Sequence, residues 1–155
     1  MNKKFETRAI HVGQIPEKLY GSVSLPIYQT STFKQEEFGE YIYDYSRAGN
    51  PTRNALEETI ASLEEGKDAV MFGSGMAAIS AIFTLLSSGD HVIISGNVYG
   101  GTYRIMNKIL GNYGLSASWV DTSNLKEIEE AVISSTKMIV VETPTNPMMQ
   151  LTDIK

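Results

Sequence analysis

The order of apolar and polar positions along the chain divides it into two stretches. Residues 1–50 show weak periodicity, with turn formers scattered through them (Gly13, Pro16, Gly21, Pro26, Gly39) and frequent tyrosines (Tyr20, Tyr28, Tyr41, Tyr43, Tyr45). So long a stretch without a regular pattern is unusual inside a compact domain. Its aromatic content is too sticky for a solvated tail, and it reads as an arm that packs on something else, such as another subunit. From Asn50 the pattern sharpens. Asn50 suits an N-cap and Pro51 the first helical position. Leu56, Ile60 and Leu63 follow at i, i+4 and i+7, and Gly66 is a stop, so a helix is expected over 51–64.

Beyond it the period alternates. Ala69–Phe72 is a short apolar run that predicts a strand. Gly73-Ser74-Gly75 is a turn, and Met76, Ile79, Ile82, Phe83 and Leu86 predict a helix over 75–87. His91–Ser95 reads as a β-branched strand, 96–102 as a loop, and Ile105, Ile109 and Leu110 as the stripe of a helix ending near Gly111 or Gly114. A strand over 116–121, a helix marked by Leu125, Ile128, Ala131 and Val132, and a near-continuous apolar strand over 137–142 complete the series. That last strand has the look of one buried on both faces, and Thr143-Pro144-Thr145-Asn146-Pro147 must be a loop. Alternation of this kind predicts an α/β fold, a mostly parallel open sheet with helices on both faces. The chain stops at Thr152-Asp153-Ile154-Lys155 where another element is expected, so it reads as incomplete.

Composition narrows the function. The chain has 155 residues, 42% hydrophobic and 20% charged, a soluble globular balance. A net charge of −5 argues against nucleic acid as partner. There is no cysteine, which excludes disulfides and thiolate chemistry and suits a cytoplasmic location. The N-terminus lacks the apolar core of a signal peptide, no run is long enough to span a membrane, and two distant histidines, His11 and His91, make no metal site.

Candidate chemistry lies at the carboxyl ends of the predicted strands, where open α/β sheets bind ligands. The Gly73–Met76 turn opens a helix whose free N–H groups and dipole favour a phosphate. It also fits G-x-G-x-x-G/A, the dinucleotide fingerprint. That fingerprint needs an acid at the end of the second strand, and Ile94-Ser95-Gly96-Asn97 offers none, so nicotinamide binding is disfavoured. Tyr99, on a glycine-flanked loop, could stack on a flat ring or pack beneath the loop. Glu142 closes a strand and could accept hydrogen bonds from the next loop. Asn146 could bind a polar substituent or simply form a turn. Arg47, in Tyr45-Ser46-Arg47, has the guanidinium suited to phosphate, although a surface charge would look the same.

Taken together, these segments resemble one family. Tyr45-Ser46-Arg47-Ala48-Gly49-Asn50-Pro51-Thr52-Arg53, Ser74-Gly75-Met76-Ala77-Ala78, Val98-Tyr99-Gly100-Gly101-Thr102 and Glu142-Thr143-Pro144-Thr145-Asn146-Pro147 look like motifs of the Cys/Met-metabolism, pyridoxal-5′-phosphate-dependent enzymes, the cystathionine γ-synthase and cystathionine lyase group. Ala9–Gly13 and Pro26–Phe33 match as well, so the likeness runs the length of the chain. The resemblance implies the large domain of the aspartate-aminotransferase-like fold, with residues 1–50 as an intersubunit arm and 51–155 as the first part of the cofactor domain.

The resemblance also implies roles. Gly75 and Met76 would give backbone N–H groups to the cofactor phosphate, which Tyr45 and Arg47 would reach from a neighbouring subunit. Tyr99 would stack on the pyridine ring and help move protons. Asn146 would lie near the ring hydroxyl and the substrate carboxylate, Glu142 would support that loop, and Arg104 would meet the distal part of the substrate. It implies an amino-acid substrate (cystathionine, an O-acyl-homoserine or cysteine) and a homotetramer built of dimers. Gly101 stands where methionine γ-lyases tend to carry cysteine, so the parent activity is expected to make or break cystathionine, γ-synthase or γ-lyase before β-lyase. The family's Schiff-base lysine, in a Ser-x-Thr-Lys motif, and its pyridinium aspartate come later than any residue here. The chain alone is therefore expected to be inactive, with a non-catalytic binding or assembly module as the alternative.

Overall fold

A computed structural model describes residues 4–154; Met1–Lys3, part of the N-terminus read above for a signal peptide, and the final Lys155 lie outside them. The chain divides into two compact units, Met1–Met71 and Phe72–Lys155.

In the first unit, α1 (Phe5–His11) and α2 (Pro51–Leu63) pack together, and a long irregular segment joins them. Helix α1 was not expected. It is only seven residues long and buries no side chain, so it leaves no apolar period in the sequence. Helix α2 starts as its caps dictate: the Asn50 side chain accepts from Thr52 N–H at 2.9 Å, with Pro51 at the first position. Such a cap contributes about 1 kcal/mol. Its stop is at Leu63, within a residue of expectation, but its buried residues are Ala55 and Ala61, while Leu56 and Ile60 of the expected stripe stay exposed. A small residue stands at Ala55, where the chain just after α1 passes very close to α2. Gly13 has φ +75°, and a Cβ on it would lie 2.2 Å from the Ala55 carbonyl oxygen. Thr59 closes this contact by donating to Val12 O at 2.8 Å.

The second unit holds a three-stranded parallel sheet in the order β2-β1-β3: β1 (His91–Ser95), β2 (Ser116–Val120) and β3 (Thr136–Val140). Helices α3 (Gly75–Phe83), α4 (Gly100–Lys108) and α5 (Leu125–Ala131) alternate with the strands, and a short 3₁₀ turn at Leu110–Tyr113 ends at Gly114. The α/β class and parallel sheet are as the alternation predicts. Strand β1 is central and buried throughout. Val92 and Ile94 join Phe83, Met106 and Leu115 in the core, with Trp119, Met138 and Val140 packed around them. Full burial of each such aliphatic side chain contributes roughly 1.5–3 kcal/mol. On β2, Trp119 lies against Tyr103 of α4, with ring centroids 5.1 Å apart.

Two strand expectations are corrected. Ala69–Phe72 forms no strand: it pairs with no strand among the described residues, and Val70, Met71 and Phe72 are exposed. An apolar run becomes a strand only when a ladder partner satisfies its backbone. Strand β3 is not buried on both faces. Its burial alternates, and Ile139 is 47% exposed, because β3 pairs only with β1 and lies at the edge of the described sheet. The register slips by one residue between His91 and Val92 opposite β3, so that Thr136 and Met138 are consecutive partners and Lys137 is the extra residue. Helix α3 ends at Phe83, earlier than expected, in turns at Thr84 and Leu85.

Candidate functional site

Three loops leave the carboxyl side of the second unit's elements, and polar groups hold them in place. Ser95, the last residue of β1, is buried and bonds Thr122 Oγ1 at 2.9 Å. It also accepts from the Glu142 N–H at 3.2 Å, fixing the exit of β3. Thr122 passes the contact to Thr152 at 2.6 Å. Asn97 donates to Thr145 Oγ1 at 3.2 Å, tying the loop after β1 to the loop after β3. Gln150 donates to Asp121 Oδ1 at 2.6 Å, tying that same loop to the end of β2. The Ser123 hydroxyl and then its N–H donate to Asp121 as well, and they hold its carboxyl below the usual range.

On this base stand the residues that the sequence singles out. At the start of α3, Ser74 caps Ala77 N–H at 3.1 Å. Gly75 and Met76 precede it in the first turn, where N–H groups have no intrahelical acceptor. The space before them is open, since a Cβ on Gly73 or Gly75 would meet nothing within 4 Å. Tyr99 is the N-cap residue of α4 and is 56% exposed. Its ring is nevertheless located. A Cβ on buried Gly101 would lie 2.4 Å from Tyr99 Cε1 and 2.6 Å from Met76 Sδ, so ring and thioether converge over a position that only glycine leaves free. The aromatic face and the helix N-terminus are thereby brought side by side.

Asn146 is exposed, and its side-chain amide has no partner among the described residues. Arg104 is exposed and folds back along α4, its Nη1 lying 3.4 Å from where a Gly100 Cβ would stand. Glu142 is half-buried and accepts from the Tyr99 N–H at 2.8 Å.

Tyr45 and Arg47 belong to the first unit and are described within it. The Arg47 guanidinium lies 4.4 Å from the Tyr45 ring centroid, a cation–π pair, with no carboxylate on it among the described residues. Arg53 of α2 fixes this segment by donating to Ser46 O at 2.9 Å and Ala48 O at 2.8 Å, and Asn50 donates to Tyr28 O at 3.0 Å. The sequence reading quoted Arg53 only as part of a motif and did not single out Asn97 or Thr145. A second arginine six residues after the first was the available signal for Arg53. Nothing local marked the other two.

Within the second unit, the helix N–H donors, a ring face beside them and an amide without a partner among the described residues form a donor set suited to a phosphorylated, flat heterocycle. Comparison with known proteins identifies the family. The family model described as Cys/Met metabolism PLP-dependent enzyme matches residues 6–155. Cystathionine gamma-lyase of Bacillus subtilis is 49% identical over 152 residues, which are 97% of this chain and 40% of that protein. Cystathionine beta-lyase of Lactococcus lactis subsp. cremoris is 50% identical over 151 residues, again 97% of this chain and 40% of that protein. Among solved structures, metB from Corynebacterium glutamicum superposes with a TM-score of 0.93 at 44% identity, covering 98% of this chain and 40% of that one. The chain therefore spans 40% of the length of these relatives. From the match across nearly its whole length, the chain belongs to the Cys/Met metabolism family of enzymes, whose cofactor is pyridoxal 5′-phosphate.

Proposed function

We propose that this chain supplies the phosphate-binding and ring-stacking side of a pyridoxal-phosphate enzyme of trans-sulfuration, forming or breaking C–S bonds in cystathionine or an O-acyl-homoserine. The observation that carries the reading is the convergence of Tyr99 and Met76 over Gly101, which sets a ring face beside the free end of α3. Gly75 and Met76 would hold the phosphate through their N–H groups. Tyr99 would stack on the ring and shuttle a proton through its hydroxyl. Asn146 would bind the ring hydroxyl and the substrate carboxylate, and Arg104 the far end of the substrate. When bound, the cofactor supplies an electron sink for the carbanion that C–S chemistry requires. Tyr45 and Arg47 would complete the phosphate site from a neighbouring subunit of a cytoplasmic tetramer. Residues 1–50 would then be the crossing arm and 51–155 the first part of the cofactor domain.

The test is a hybrid enzyme in which this chain replaces the matching 40% of the Bacillus subtilis cystathionine gamma-lyase. It should turn over cystathionine only with pyridoxal phosphate present. Tyr99→Phe should then lower kcat by about 10²-fold or more, the usual scale for a lost proton-transfer group. A folded, cofactor-loaded hybrid indifferent to that change would refute the assignment of Tyr99. Turnover by the 155-residue chain alone would refute the expectation that it is inactive by itself. For the arm, mixing an Arg47→Ala hybrid with a Tyr99→Ala hybrid should restore activity that neither has alone, and no restoration would count against a crossing arm.

A further inference from the structure

We infer that Glu142 is a positioning residue for Tyr99, the group through which the end of β3 sets where the ring-stacking residue stands. The inference rests on the reading of Tyr99 given above. Tyr99 is the N-cap residue of helix α4, and its side chain makes no capping hydrogen bond. Glu142, 43 residues later, instead holds the N-cap residue itself, accepting from the Tyr99 N–H at 2.8 Å. A carboxylate at a helix N-terminus is favoured by the helix dipole, and its hydrogen bond is charge-assisted. Glu142 is itself fixed, because its own N–H donates to the Ser95 hydroxyl, which is buried and held by Thr122. Tyr99 is thus held at two points: its backbone by Glu142, its ring by the close approach at Gly101 beside Met76. A tyrosine that is more than half exposed gains a fixed seat without losing its open face. Four residues beyond Glu142, Asn146 shares that loop, so one anchor sets the spacing of both groups.

The experiment measures amide hydrogen exchange in the full chain, with pyridoxal phosphate binding by equilibrium dialysis as a second readout. In the unaltered chain, the Tyr99 amide should be protected together with the β1 amides of Val92–Ile94. Glu142→Ala should speed exchange at Tyr99 by about tenfold to a hundredfold, as expected for a lost hydrogen bond to a charged acceptor. The β1 amides should stay within roughly twofold, since they open with the core. Glu142→Gln keeps an acceptor oxygen without the charge and should recover part of the protection. Cofactor affinity should fall in the same order, Ala below Gln below wild type. An unprotected Tyr99 amide in the unaltered chain, or one whose protection is indifferent to both substitutions, overturns the inference. If Glu142→Ala also loosens β1, the Gln variant decides: selective loss at Tyr99 supports the anchor, and no selective change overturns it. Failure of the unaltered chain to bind pyridoxal phosphate counts against the proposed function and leaves the exchange result to judge Glu142.

Discussion

The two edges of the parallel sheet use similar residues to opposite ends. At the amino edge, His91 is buried, and both ring nitrogens are paired: Nδ1 with Thr136 Oγ1 at 2.8 Å and Nε2 with Ser118 Oγ at 3.0 Å. One side chain on the central strand thereby stitches both neighbours, and no polar capacity is left over. At the carboxyl edge, Ser95 and Thr122 make an equally buried link, but the layer above them is open. Tyr99 and Asn146 stand exposed there, Asn146 with a side chain that has no partner among the described residues. Satisfied polar groups hold the sheet together; unsatisfied ones, held by satisfied ones beneath, are what a ligand can meet. The difference teaches that a polar residue at a strand end acquires its meaning from its partners and not from its type.

Removing the floor shared by both edges should have the largest effect. Ile94→Ala, at a position with no exposure, should cost about 2–5 kcal/mol in urea denaturation. A cost well under that range would mean that β1 is not the common support. Next, His91→Leu should destabilise by roughly 1–3 kcal/mol, because Ser118 and Thr136 lose a buried partner. It should leave pyridoxal phosphate affinity unchanged; a matching fall in affinity would erase the contrast between the edges. Tyr99→Ala should do the reverse, shifting stability by no more than about 0.5 kcal/mol while weakening the cofactor.

The smallest effect is expected at Asp121. Its folded-state pKa lies below the unfolded value, so the ionised form is favoured by folding. Its contribution is present above the unfolded value and disappears as pH falls through the folded one. Denaturation midpoints followed downward from pH 5 should therefore decline slightly less steeply in Asp121→Asn. A slope identical to wild type would remove Asp121 from the ties between the loops.

What could be read in advance follows from distance along the chain. Helix α2 was legible because Asn50 and Pro51 are local signals, and β1 because His91–Ser95 lies between Gly89-Asp90 and Gly96-Asn97. Ala69–Phe72 misled because a strand is a property of two segments, and only one can be seen in a run of apolar letters. The exposure of Ile139 depends likewise on what pairs with β3. At the candidate site, the Gly73–Met76 turn and Tyr99 could be singled out because glycine spacing and loop position are local. The Glu142–Tyr99 and Asn97–Thr145 bonds join residues 43 and 48 apart, and no spacing rule anticipates them.

The pairing of Tyr103 with Trp119 has a practical consequence. Trp119 is the only indole in the chain, and its neighbour sits on the helix whose N-cap is Tyr99, next to Arg104. The contact suits that tryptophan to serve as an intrinsic optical gauge of how α4 seats on β2. A shift in its emission, or in energy received from tyrosine, would register movement of the helix without any attached dye. The chain carries its own label a few residues from the chemistry assigned to it.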